Sequence, residues 1–170
     1  PYDSVNEYYS LNIDTSTLDA KLYSVRFTAY KTHYYTSIKD LGLNILERPT
    51  LVNGSSTYLS VTKTIEVSEV YNFTFEYNDT LTNTRLSNLD VAEYDWSGGS
   101  GLLTQTSDDL FILDFDTETR STGQYTIYVT LQKDNYEART VIVQLSINIR
   151  ELNYTLSHEF EGKIISIKSG

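Results

Sequence analysis

Apolar and polar residues alternate with period two over much of the chain, and no segment sustains a 3.6-residue period. In residues 125–131, Tyr125, Ile127, Val129 and Leu131 take the odd positions, with Thr126, Tyr128 and Thr130 between them. That is the pattern of a strand with one face buried and the other solvated. Val141, Val143, Leu145, Ile147 and Ile149 repeat it after the turn Lys133-Asp-Asn-Tyr136, which predicts a β-hairpin. Near the start, Tyr23, Val25, Phe27 and Ala29 carry the same alternation. Further strands are predicted over 59–67, 70–77, 89–96, 102–106 and 110–115, separated by Asn78-Asp79, Asn83, Ser97–Gly101 and Ser107–Asp109, residue types that favour turns. The chain is expected to be all-β.

The alternation is also duplicated. Residues 8–48 align without a gap onto residues 110–150 at an offset of 102, with 11 identities in 41 positions, including Asp14/Asp116, Thr15/Thr117, Tyr23/Tyr125, Lys31/Lys133, Tyr34/Tyr136 and Arg48/Arg150. Ile13/Phe115, Val25/Ile127 and Phe27/Val129 are conservative pairs on the same alternating face. A repeat of roughly a hundred residues matches the size of an immunoglobulin-type sandwich domain. The expected organisation is a second half of one module over 1–48, a complete module over 49–152, and an opening strand of a further module, or a donor strand, over 153–170, where Phe160 and Ile167 fall opposite Tyr58 and Ile65.

The succession Glu93-Tyr-Asp-Trp-Ser-Gly-Gly99, Leu110-Phe-Ile-Leu-Asp-Phe-Asp-Thr117 and Gly123-Gln-Tyr-Thr-Ile-Tyr-Val-Thr-Leu-Gln-Lys-Asp-Asn-Tyr136 resembles the tandem immunoglobulin-like repeats of archaeal and bacterial cell-surface proteins. The resemblance covers most of the chain and implies antiparallel immunoglobulin-like β-sandwich modules in tandem. Such modules serve as spacers, adhesins, surface-layer units and enzyme appendages alike, so it bears on fold more than on function. The half copy departs from the pattern at Lys21, which stands where the Gly of Gly-x-Tyr would be and implies a different turn.

Composition narrows the setting. With 15 Tyr and only 2 Pro, the chain favours strands over helices or disorder. Its first residue is Pro1 and it holds no Met, so it reads as a mature or excised segment with targeting signals outside it. No apolar run approaches the ~18 residues that would cross a bilayer, so membrane insertion by this segment is not expected. The absence of Cys suits a secreted protein of an archaeon or bacterium better than a small disulfide-stapled animal domain. Thirteen basic against 23 acidic residues, net −10, argue against nucleic acid as a partner, because binding would release no counterions. An extracellular or cell-surface location is expected.

Candidate chemistry is sparse. His33 and His158 lack the spaced partners of a metal pair, there is no nucleophile elbow, and Gly98-Gly-Ser-Gly101 lacks the lysine and helix of a phosphate loop, so it reads as a mobile hairpin turn. No catalysis and no resident cofactor are expected. Asp108, Asp109, Asp114, Asp116 and Glu118 cluster near strand ends, and Leu113-Asp-Phe-Asp116 resembles the junction segments of cadherin repeats. That resemblance implies a calcium site on Asp109, Asp114 and Asp116, for which six to eight oxygen ligands must converge; the alternative is a solvated acidic loop. Trp96 is either a sugar-stacking platform or, given its alternation with Tyr94 and Ala92, a core residue. Tyr8, Tyr9, Tyr34 and Tyr35 are candidate interface residues. Asn53, Asn72, Asn78 and Asn153 each begin an Asn-x-Ser/Thr acceptor sequence, a pattern that also arises by chance in a chain this rich in Asn, Ser and Thr.

The expected role is a structural or adhesive module of a cell-surface protein or filament, the alternative a carbohydrate-binding accessory module. Its expected partners are further copies of itself or neighbouring modules. A half module leaves an open sheet edge, and Ile164, Ile165 and Ile167 make a candidate donor strand that would cover that edge in a neighbouring molecule.

Overall fold

A computed structural model describes residues 2–3, 8–57 and 59–151. These form 14 strands: β1 (Tyr2–Asp3), β2 (Tyr8–Tyr9), β3 (Leu22–Ala29), β4 (Ser37–Asn44), β5 (Thr50–Val52), β6 (Leu59–Glu66), β7 (Val70–Asp79), β8 (Thr84–Arg85), β9 (Val91–Trp96), β10 (Gly99–Leu102), β11 (Thr104–Gln105), β12 (Leu110–Asp116), β13 (Gly123–Gln132) and β14 (Arg139–Asn148).

Strands β5 to β14 build a sandwich of two sheets, ordered β11-β12-β7-β5 and β10-β9-β13-β14-β6. The first is the A-B-E-D order, and the second contains C-F-G, so the topology is that of an immunoglobulin-like sandwich. Pairing is antiparallel except between β6 and β14, which run parallel from Val141↔Leu59 to Asn148↔Glu66. Period-two alternation specifies which face of a strand is buried but not the direction of its neighbour, so this pairing was not visible in the sequence.

The inner faces meet as the alternation requires. Phe73, Phe75, Phe111, Leu113 and Phe115 from one sheet and Ile127, Val129, Val141, Val143 and Leu145 from the other are all almost completely buried. Each such side chain contributes about 1.5–3 kcal/mol relative to exposure. Trp96, at the end of β9, packs edge-on against Phe115 (ring centroids 5.2 Å apart) and Tyr125 (5.3 Å). The glycine-rich stretch after it is a two-residue turn, Ser97-Gly98, leading into β10, with Gly99 paired to Trp96. Gly98 is required there, because a Cβ would lie 2.4 Å from the indole.

Outside the sandwich, β3 and β4 form a separate hairpin. Its register, Tyr23↔Leu43, Val25↔Leu41 and Phe27↔Lys39, is that of Tyr125↔Leu145, Ile127↔Val143 and Val129↔Val141 at the offset of 102. Local hydrogen bonds recur at the same offset. Asp14 Oδ1 accepts from Ser16 N (2.9 Å) and Asp116 Oδ1 from Glu118 N (2.8 Å). Leu18 N donates to Thr15 O and Arg120 N to Thr117 O. The Tyr23 hydroxyl donates to Asp19 O (3.2 Å) and the Tyr125 hydroxyl to Ser121 O (2.7 Å), the tyrosine corner of immunoglobulin-like domains, despite Lys21 in place of glycine. At the hairpin tips, Tyr34 N donates to Lys31 O and Tyr136 N to Lys133 O, with His33 and Asn135 both left-handed (φ 68° and 69°).

The environments of the two hairpins differ. Val129 and Val143 are fully buried, whereas Phe27 and Leu41, their counterparts, are 37% and 57% exposed. Residues 8–48 contain no counterpart of β7, which lies in the facing sheet, or of β9, which pairs along the edge of β13.

Candidate functional site

The most densely bonded polar cluster lies where the hairpin meets the sandwich. Three hydrogen bonds seat the β13–β14 loop: Arg48 N, on the segment leaving β4, donates to Asn135 O (2.8 Å), Glu137 N donates to Arg48 O (3.0 Å), and Ala20 N, just ahead of β3, donates to the Asn135 side-chain carbonyl (2.7 Å). The left-handed backbone at Asn135 turns that carbonyl back toward Ala20, a conformation asparagine tolerates better than most residues. Leu18, Ala20, Ile45 and Tyr136 line the shallow cleft between the two parts.

Beneath this contact the Arg48 guanidinium lies over the Tyr136 ring (5.5 Å to the centroid) and pairs with Asp79, at the end of β7. Asp79 is 2% exposed. Its carboxylate also accepts from Leu81 N (2.9 Å) and the Thr82 hydroxyl (2.8 Å). Burial raises the Asp79 pKa, but these donors and the Arg48 charge outweigh it and hold the carboxyl below its ordinary value. Alongside, Arg139 donates to Thr50 O, Thr50 Oγ1 and Ser56 O, and Glu137 O accepts from both the Thr50 and Tyr77 hydroxyls (2.8 and 2.6 Å). Thr50 and Tyr77 are fully buried. The arrangement holds the first strand of the sandwich, the loop and the incoming segment in one fixed geometry. The arrangement is that of a joint.

Sequence reasoning did not find this joint. Arg48/Arg150 stood out as an identity of the repeat, but Asp79 read as a turn residue, and partners 31 or 89 positions apart leave no local periodicity.

The acidic residues considered for calcium do not converge. Asp109 sits in the turn before β12 and accepts from Gln105 Nε2 (2.9 Å), whereas Asp116 closes the same strand and is engaged with Glu118 N. Seven residues of extended chain separate them by about 23 Å. Asp114 lies exposed in β12, opposite Asn72. Among the described residues no group of three or more His, Cys, Asp or Glu is arranged to hold a metal ion.

Trp96 is 8% exposed, wedged between the sheets with the Arg120 guanidinium over its ring (4.9 Å), so it offers no face to a sugar. Of the acceptor asparagines, Asn53 is committed to Thr74 O and Glu76 N. Asn78 is half-buried and donates to Glu76, while Asn72 stands exposed on β7. Asn153 and the strand-exchange residues Ile164, Ile165 and Ile167 lie outside the described residues. Tyr9, Tyr34 and Tyr35 are exposed, Tyr35 completely.

Neither a protein-family model nor a curated protein matches the chain. Among solved structures, that of titin domain M7 is similar over 61% of this chain and 97% of its own, at 17% identity and a TM-score of 0.38.

Proposed function

We propose that the chain is a structural or adhesive element of an extracellular, cell-surface protein or filament, built from immunoglobulin-like modules in tandem and acting through assembly rather than catalysis. Residues 49–152 are one complete module, 1–48 the second half of the module before it, and 153–170 the opening strand of another. The observation that carries this reading is the joint. A hairpin repeating the register of β13–β14 is clamped at its base by the loop of the sandwich, and the Arg48–Asp79 pair locks the segment between them. These bonds tie the hairpin to the sandwich and restrict the relative motion that is otherwise the default between domains. The likeness to archaeal and bacterial surface repeats, the acidic surface and the lack of cysteine fit an exterior setting.

Antibodies raised against the chain are expected to label intact source cells or their shed filaments as strongly as lysed cells; labelling only after lysis would overturn the location. The exposed Tyr30, Tyr34 and Tyr35 at one hairpin tip favour, as a second reading, a carbohydrate-binding module. A glycan array separates the two, since a structural element binds no sugar, whereas a binding module loses its sugar when Tyr35 becomes Ala.

A further inference from the structure

The joint's receiving surface has a second copy, which no described residue fills. The cleft that touches loop residue Glu137 is lined by Ala20, Lys21 and Asn44–Glu47. At the offset of 102 these become Thr122, Gly123 and Ser146–Ile149, and those residues, with Gln124, line an open groove at the far end of the sandwich, where Ile149 is 77% exposed. The loop is duplicated as well. Lys133–Glu137 is seated, with Tyr136 half-buried, while Lys31–Tyr35 stands at the free tip of the β3–β4 hairpin with Tyr34 67% exposed. Among the described residues, one loop and one groove are joined, and one loop and one groove remain.

We propose that the groove at 122–124 and 146–149 receives loop 31–35 of a second copy of this chain, reproducing between molecules the contact that loop 133–137 makes within one. The proposal rests on the reading of the chain as an assembling element and names the surface that does it. Its warrant is the chemistry of the existing contact. On the receiving side every hydrogen-bonding group is backbone, namely Ala20 N, Arg48 N and Arg48 O. Thr122 and Arg150 present the same groups whatever their side chains. On the loop side the acceptor Asn135 O and the donor Glu137 N become His33 O and Tyr35 N, and His33 shares the left-handed backbone of Asn135. A ring nitrogen of His33 replaces the Asn135 side-chain carbonyl as acceptor. The Arg48–Tyr136 stack becomes Arg150 over Tyr34. What is lost is the Asp79 partner, since residues 8–48 contain no counterpart of β7. The contact is therefore weaker than the internal one and belongs with small transient interfaces. Joining unlike surfaces, it adds molecules head to tail without closing.

The chain has no cysteine, which permits trapping. Arg48 and Tyr136 form a β-bridge, so residues 150 and 34 in the proposed contact lie within disulfide reach. The full chain is made as Tyr34→Cys and, separately, Arg150→Cys, each checked for an unchanged melt, then mixed in equal amounts and oxidised slowly. Heterodimers are expected several-fold above their statistical share, returning to that share when Tyr35→Pro, which removes the Tyr35 N donor of the proposed contact, is added to the Tyr34→Cys chain. Heterodimers at the statistical share from the outset overturn the contact. Sedimentation of the unmodified chain separates the two claims: concentration-dependent association without trapping refutes this surface but leaves assembly standing, and a monomer up to the solubility limit with no trapping removes both.

Discussion

Replacing Asp79 by Asn tests the physics of the joint at its most buried charge. The amide keeps the volume of the carboxylate and one acceptor for Leu81 N, but it removes the charge facing Arg48 and weakens the Thr82 bond. Hydrogen bonds to a charged group contribute about 1.5–3 kcal/mol each. Arg48 is 38% exposed in its side chain and recovers part of its hydration when the partner is neutralised, so the net cost is about 1–3 kcal/mol. For a domain of this size, each kcal/mol moves the melting temperature by about 4–8 °C. The pH dependence fixes the cause. The folded-state pKa of Asp79 is depressed below its ordinary value of 3.8, so the unfolded chain binds the proton more tightly. The stabilisation is therefore complete above about pH 5 and is lost progressively as pH falls through the ordinary value toward the lower, folded-state one. Denaturant titrations of the native and Asp79→Asn chains are expected to differ by 1–3 kcal/mol at pH 7 and to converge in strong acid. Equal stability at pH 7, or a gap that persists unchanged below pH 3, would refute the reasoning.

Three further outcomes follow from named contacts. Tyr125→Phe deletes the bond to Ser121 O and is expected to cost about 1 kcal/mol, whereas Tyr23→Phe, at the longer counterpart outside the sandwich, leaves the main transition within error in the same melts. Trp96→Ala removes the side chain between Phe115 and Tyr125 and should cost about 3–5 kcal/mol by urea denaturation, while Trp96→Phe costs less; an Ala variant as stable as the native chain contradicts the buried placement. Excess calcium against chelator is expected to leave the melting temperature unchanged, because Asp109, in the turn before β12, and Asp116, at its far end, are held apart by the strand; a rise with calcium would show that carboxylates are recruited elsewhere.

Much of the sandwich was legible in the chain. The alternation in 125–131 and 141–149 marked the two central strands because their inward residues must be apolar, and a one-residue slip would expose them all. The duplication marked a hairpin whose register and turn bonds match at the offset of 102. Less legible was whatever depended on distant partners or on missing side chains. β5 has only three residues, too few to show a period. Gly99-Ser-Gly-Leu102 looked like a loop because its glycines carry no pattern, yet it pairs with β9 across a tight turn. For the candidate site, aspartates close together in sequence suggested convergence, but an extended strand separates its two ends by its full length. The joint stayed hidden because its ion pair and backbone bonds are long-range.

Residues 1–48 are proposed as the second half of a module, and the apolar face of β3 and β4 as one that the missing strands would cover. Fusing a second copy of residues 49–109 directly ahead of residue 8 supplies the missing strands in the order found in the complete module. Amide hydrogen exchange of β3 and β4 in that fusion is the decisive measurement. Protection at Val25, Phe27, Leu41 and Leu43 is expected to rise by orders of magnitude toward that of Ile127, Val129, Val143 and Leu145 in the same molecule, as when strands enter a cooperative core. Amides in β3 and β4 that exchange as fast in the fusion as in the original chain would contradict it.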